Sequence, residues 1–159
     1  MIATSRFDEN EDEWIQEILY YYKKDNKLQI SVKAHPFYSE AYKTLKFYKH
    51  KRIDNKYNIE PLIKSADLVI TDHSQVGKVA HLLGKPVISM IKSKKSPYLK
   101  KVKSIIFCEN TTTLIQNINY YKSKRSIKID DKFIRSYNFG NSLKAYIKIL
   151  KTIGINVNN

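Results

Sequence analysis

Cysteine occurs once in this chain of 159 residues, at Cys108, so an internal disulfide and a cysteine-built metal cluster are excluded. A lone thiol suits a reducing interior, and a cytoplasmic chain is expected. No apolar run approaches ~18 residues, so no membrane-spanning helix is expected. The start lacks a basic stretch followed by an apolar one and does not read as a secretory signal. Helix-turn-helix, RNP-type aromatic and zinc-finger patterns are all missing, which argues against nucleic acid as a partner. Histidines stand at 35, 50, 73 and 81. His73 and His81 are eight apart, not the three or four that one helix face needs for a metal, and no metal is expected. His50 and His81 read as surface or internally satisfied residues.

Acids are scarce. There are 15 against 29 bases, a net charge of +14, and arginine occurs only at 6, 52, 125 and 135. Part of this lysine excess, beside abundant isoleucine, asparagine and tyrosine, is what a base-composition bias in the gene would produce. The rest suits an anionic partner: a nucleotide-activated donor, an anionic polymer or a lipid surface. The charge is uneven. Residues 1–17 carry six acids and one base, a net of −5, which leaves +19 for residues 18–159. With 42% hydrophobic and 28% charged residues the composition is globular, and the length suits a single domain, 1–159.

The chain is organised around Ser65–Met90, SADLVITDHSQVGKVAHLLGKPVISM. Leu68–Thr71 is β-branched and apolar, as a buried strand is. Val76, Val79, Ala80 and Leu83 fall at i, i+3, i+4 and i+7, the stripe of one helix. Gly84 stands where a helix C-cap belongs and Pro86 cannot continue the helix. Pro86–Met90 is the next strand. Strand, polar turn, helix, strand predicts a right-handed crossover between parallel strands. A helix beginning near Ser74 or Gln75 aims unpaired N–H groups at the carboxyl edge of the sheet, an arrangement that receives anions. Ser74 can cap that helix or give its hydroxyl to a phosphate. Gly77 in its first turn lets a bulky anion approach. An ordinary structural N-cap is the alternative.

Elsewhere, Ile2–Ser5 is a strand candidate, followed by acidic residues 8–13 that suit the start of a helix with Trp14, Ile15, Ile18, Leu19 and Tyr22 on one face. Arg6, in the loop between them, is a candidate for phosphate contact. Leu28–Ala34 alternates as a strand does and runs into His35-Pro36. A short helix is expected over 38–45, a basic, edge-type strand over 47–53, and a helix over 59–66 with Pro61 in its first turn. Residues 91–103 hold six lysines and read as an exposed loop able to touch an anionic polymer or the inner face of the plasma membrane. Ile105–Cys108 is a strand. Asn110–Thr113 caps a helix with Leu114, Ile115, Ile118 and Tyr121 inward, and a last helix carries Leu143, Tyr146, Ile147 and Leu150. This alternation predicts a doubly wound α/β fold, a mainly parallel sheet with helices on both faces. Ligands of such sheets sit beyond the carboxyl ends of the strands. Arg6, His35 and Asp72–Ser74 each follow a strand and converge on that edge.

A strand ending in His-Pro, followed by ADLVITDHSQVGKVAHLLGKPVI, resembles the donor-binding C-terminal domain of GT-B fold transferases. The nearest patterns are CDP-glycerol glycerophosphotransferases, capsule polysaccharide Kdo transferases and non-hydrolysing UDP-N-acetylglucosamine 2-epimerases. Bacterial sialyltransferases also pair a His-Pro with a serine motif. The resemblance covers most of the chain and is most specific over 59–90. It implies a Rossmann-like half of a GT-B fold that binds a nucleotide-activated sugar or glycerol phosphate, for surface polysaccharide or teichoic-acid-like polymers. His35 looks like the histidine that contacts donor phosphate or takes part in catalysis. Asp72 and Ser74 look like the Asp and first Ser of a Thr-Asp-x-Ser-Ser loop, with His73 at the variable position and Gln75 in place of the second Ser. Gly77 looks like the glycine of the capsule enzymes' Ser-Thr-x-Gly pattern. Val79 stands where relatives commonly carry an acid, often on the donor's ribose or sugar. The first strand begins at residue 2, so the acceptor-binding half is expected from a longer polypeptide or a separate partner chain. No cofactor is implied beyond the donor itself. The competing reading is a catalytically inactive binding or scaffold module.

Overall fold

The computed structural model describes residues 1–4, 11–35, 41–54, 56–72, 74–91 and 105–124. The chain divides into two units, Met1–Ile129 and Asp130–Asn159. The second lies outside the described residues, as do Arg6, His73, nearly all of the 91–103 loop and the expected last helix.

Among the described residues there are six strands: β1 (Ile2–Ala3), β2 (Ser31–Lys33), β3 (Lys51–Ile53), β4 (Val69–Thr71), β5 (Val87–Met90) and β6 (Ile106–Cys108). Among the same residues four α-helices accompany them: α1 (Glu11–Tyr21), α2 (Ile59–Ser65), α3 (Val76–Leu82) and α4 (Thr111–Lys124). The strands form one sheet in the order β3-β2-β1-β4-β5-β6, and every pairing is parallel. This is the doubly wound, Rossmann-like order, in which the chain winds outward from β1 to one side and from β4 to the other.

The two sheet faces are built differently. Ile2, Val32, Ile70, Ile88 and Met90 share a core with Trp14, Ile15, Ile18 and Leu19 of α1 and Leu114 and Ile118 of α4. The hydroxyl of Tyr22, just past α1, donates to Asn119 Oδ1 at 2.9 Å and ties the two helices. The alternate residues Ala3, Val69, Thr71, Val87 and Ser89 are buried on the opposite face, where α3 packs on β4 and β5. Both faces of β4 and β5 are therefore covered, which explains why these strands are apolar apart from Thr71 and Ser89. Asn110 Oδ1 accepts from Thr113 N at 2.9 Å and starts α4, as expected. Among the described residues no helix is long and apolar enough to cross a membrane.

Three expectations need correction. The helix over 38–45 is, within the described residues, a 3₁₀ turn at Ala41–Lys43. The strand expected over 47–53 is confined to Lys51–Ile53, because Tyr48 adopts a left-handed φ of 53° and His50 N bonds back to Phe47 O at 2.8 Å. On α3 the buried residues are Gly77, Ala80 and His81, one position round from the expected stripe, and Val79 is 41% exposed. Without a side chain, Gly77 lets the helix lie close on the sheet, and that contact outweighs the hydrophobicity of Val79.

His50 is neither a surface residue nor fully satisfied. It is buried, its Nδ1 accepts from Ile30 N at 3.3 Å, and its Nε2 has no hydrogen-bond partner among the described residues. Burial, with Lys49 adding, holds its pKa below the ordinary value. The carbonyls of Leu19 and Tyr22 and the carboxylate of Asp25 pull the other way without reversing the shift. The folded form thus resists a proton that the unfolded chain takes up near pH ~6.5. Stability is full above that pH and falls as the solution is acidified through it. Urea midpoints at pH 7.5 and 5.5 should show the loss, and His50→Gln, which keeps an acceptor for Ile30 N, should show less of it. Equal losses in both proteins would place the titrating group elsewhere.

Candidate functional site

The winding direction reverses between β1 and β4, and the crevice beyond their carboxyl ends is where such sheets hold ligands. Ala3 is paired both with Lys33 of β2 and with Thr71 of β4. One residue further along, Ala34, Thr4 and Asp72 stand level at the rim. His35 follows on β2, half-buried, and Ser74 follows β4. Strands lie ~4.8 Å apart, so β2 and β4 are separated by about 10 Å, the span of a small polar ligand. His35 and Ser74 therefore occupy the same edge, as the sequence predicts.

The turn after β4 is closed by its own side chains. Asp72, 4% exposed, accepts at Oδ1 from Ser74 N at 2.9 Å and, at the 3.5 Å limit, from Thr71 Oγ1. Its carbonyl accepts from Ser89 Oγ at 2.8 Å, fastening the turn to β5. Ser74 Oγ accepts from Val76 N at 3.2 Å. Gly77 N bonds to Ser74 O at 3.1 Å, and Lys78 N and Val79 N bond to Gln75 O at 3.0 and 3.1 Å. Gln75 occupies the cap position with helical dihedrals and makes no side-chain cap bond.

The amides from Val76 to Val79 are thus engaged within the turn, where the sequence suggests open donors. Ser74 performs the capping role, yet a serine hydroxyl that accepts with a lone pair still has its O–H to give. That O–H has no acceptor among the described residues. Ser74 is only 6% exposed, so the donor is held in a fixed, dry place. Gly77 serves close helix-to-sheet packing, and Gln75 is exposed.

Four polar residues at this edge are not evident from local sequence. Thr4 Oγ1 and Tyr42 OH share a hydrogen bond of 2.7 Å that binds the 3₁₀ turn to the carboxyl end of β1. Ser89, the residue that fastens Asp72, is signalled only as a hydroxyl inside an otherwise apolar strand. Lys33 is buried at the end of β2, its Nζ reaching Asp54 O at 3.5 Å; burial lowers its pKa and Asp54 partly restores it. Among the described residues no group of three or more His, Cys, Asp or Glu is placed to hold a metal ion.

No protein-family model and no curated protein matches this chain. Solved structures do. UDP-GlcNAc 2-epimerase from Methanocaldococcus jannaschii, in complex with UDP-GlcNAc and UDP, superposes with a TM-score of 0.61 at 21% identity, over 87% of this chain and 44% of that one. E. coli heptosyltransferase WaaC with ADP-2-deoxy-2-fluoro heptose gives 0.57 at 15% identity, over 75% and 42%. UDP-GlcNAc 2-epimerase from Neisseria meningitidis bound to UDP-GlcNAc gives 0.55 at 18% identity, over 95% and 43%. The chain spans less than half the length of each of these GT-B fold enzymes. At these identities the likeness is one of fold: a Rossmann-like α/β domain similar to one part of a GT-B structure.

Proposed function

We propose that this chain is the donor-binding half of a GT-B-like transferase and holds a nucleotide-activated sugar or glycerol phosphate at the carboxyl edge between β1 and β4. The observation that carries the reading is the buried Ser74 hydroxyl, whose O–H has no acceptor among the described residues, in a turn that Asp72 holds through Ser74 N at the switch point of the sheet and on one edge with His35. The fold likeness to proteins solved with UDP-GlcNAc or an ADP-heptose analogue supports it. In this reading Ser74 donates to a donor phosphate oxygen and stabilises the charge that grows there as the leaving group departs. His35 donates a hydrogen bond or a proton from the end of β2, two strands away from β4, a role open to an imidazole. Arg6 and His73 belong to the same edge by sequence. An acceptor half, from further polypeptide or a separate chain, completes the transfer. The products we favour are surface polysaccharide or teichoic-acid-like polymers, made in the cytoplasm with the 91–103 lysines against an anionic polymer or the membrane's inner face.

Calorimetric titration with UDP, CDP, CMP and ADP tests this directly. One of them should bind, and His35→Ala and Ser74→Ala should each weaken it about tenfold or more, as lost hydrogen bonds to a charged group do. Both variants should keep the wild-type circular dichroism. Unchanged affinity in both would mean the site is misplaced. Val79 favours a second reading: an exposed valine on α3 offers no hydrogen bond to a ribose or sugar. If none of the four nucleotides binds at low salt, the chain is a binding module with a degenerate donor site.

A further inference from the structure

The opposite edge of the sheet holds a cavity that the donor reading leaves unused. Its volume is about 740 Å³, and the segments that lead into β2, β4 and β5, with the C-terminal part of α4, surround it. Topology explains the gathering. In an all-parallel sheet each incoming connection arrives at the amino edge, so the residues just before β2, β4 and β5 meet there. The C-terminal turns of α4 close the space from one face.

The lining has two parts. Leu28, Leu68, Pro86, Ile118 and Tyr121 bring apolar surface to the lining, and three lysines, Lys27, Lys85 and Lys122, line it against one acid, Asp67. Lys122 is paired with Asp25. Lys27 and Lys85 have no acid partner among the described residues. Lys85 is set in place by its backbone. Gly84 takes a left-handed φ of 76°, and Lys85 N bonds to Ala80 O at 2.9 Å, which ends α3 and turns the chain onto the rim. Two cations without an acid partner among the described residues, beside apolar side chains, favour a ligand with matching halves.

We propose that this cavity is a second binding site, for a small organic anion with a flat apolar body and one carboxylate or phosphate. The body lies on Tyr121, Leu28 and Leu68, and the anionic group lies between Lys27 and Lys85. The volume falls within the roughly 300–1,000 Å³ of small-molecule sites. The proposal stands apart from the donor reading, because no residue of the Ser74 crevice lines this cavity and the length of the strands, about 10 Å, separates the two.

The probe is 1-naphthyl phosphate, titrated into the full chain by calorimetry, with 1-naphthol and inorganic phosphate as its separated halves. Naphthyl phosphate should bind at one saturable site at least tenfold more tightly than either half. Lys27→Ala/Lys85→Ala, on two solvent-accessible side chains, should weaken it at least tenfold while preserving circular dichroism. Lys27→Glu/Lys85→Glu should lose the phosphate and gain 1-naphthylmethylammonium. Saturating UDP and the Ser74→Ala substitution should leave the affinity unchanged, whether or not UDP itself binds. No saturable binding up to about 1 mM, the same affinity in the lysine variants, or displacement by UDP would each overturn the proposal.

Discussion

Ile88→Ala is expected to lower the unfolding free energy by about 2–5 kcal/mol, the range for emptying a well-packed aliphatic site. Ile88 is fully buried on β5, in the core shared by α1 and α4. It is in register with Ile70 on one side and Ile106 on the other. Neighbours held by ladders on both flanks cannot collapse into the vacated space, so the upper part of the range is expected. A domain of this size has a total stability of about 5–15 kcal/mol, and such a loss shows as a large drop in urea midpoint with the slope unchanged. Phe107→Ala, at a 39% exposed position of the outermost strand β6, supplies the contrast and should cost less than half as much. Equal costs for the two would mean that β5 is not covered on both faces and paired on both sides.

Ile88 also shows which parts of the fold are legible in the sequence. A strand covered on both faces is largely apolar, so Val69–Thr71 and Val87–Met90 stand out as short runs that open on β-branched residues. The stripes of α1 and α4 are legible because each meets one broad apolar surface, and Trp14, Ile15, Ile18, Leu19, Leu114 and Ile118 are buried as the periodicity indicates. Periodicity fails on α3. It ranks side chains by hydrophobicity, whereas a short helix lying close on a sheet is positioned by its smallest residues, here Gly77 and Ala80. His50 is misjudged for a related reason: an isolated polar residue gives no sign of the backbone amide it will meet twenty residues away.

The site divides along the same line. Asp72 and Ser74 can be identified because Asx and serine turns are local chemistry, complete within a few residues. What fixes that turn in space is long-range: Ser89 on Asp72, seventeen residues apart, and Tyr42 on Thr4, thirty-eight apart. No pattern of spacing announces either contact. They appear only once the sheet order is known, and they make the rim a rigid frame instead of a loose collection of loop residues.

That frame makes Asp72 the most informative residue to replace. Asp72→Ala removes the acceptor of Ser74 N, leaving a buried donor unpaired at a cost of about 1–3 kcal/mol. It also frees the segment that aims the Ser74 hydroxyl, so nucleotide affinity should fall at least tenfold. Asp72→Asn should behave differently. An amide oxygen can still accept from Ser74 N, which keeps the turn, while the negative charge beside the proposed phosphate position is gone. Its stability should lie closer to the parent than to the alanine variant, and its affinity for a nucleotide diphosphate should equal or exceed the parent's, most visibly at low salt where charges are least screened. Melting curves and calorimetric titration of the two variants side by side separate geometry from charge. If asparagine loses as much affinity as alanine while keeping its stability, the ligand needs the carboxylate itself. Asp72 would then be a contact residue, and its role as the brace of Ser74 would be secondary.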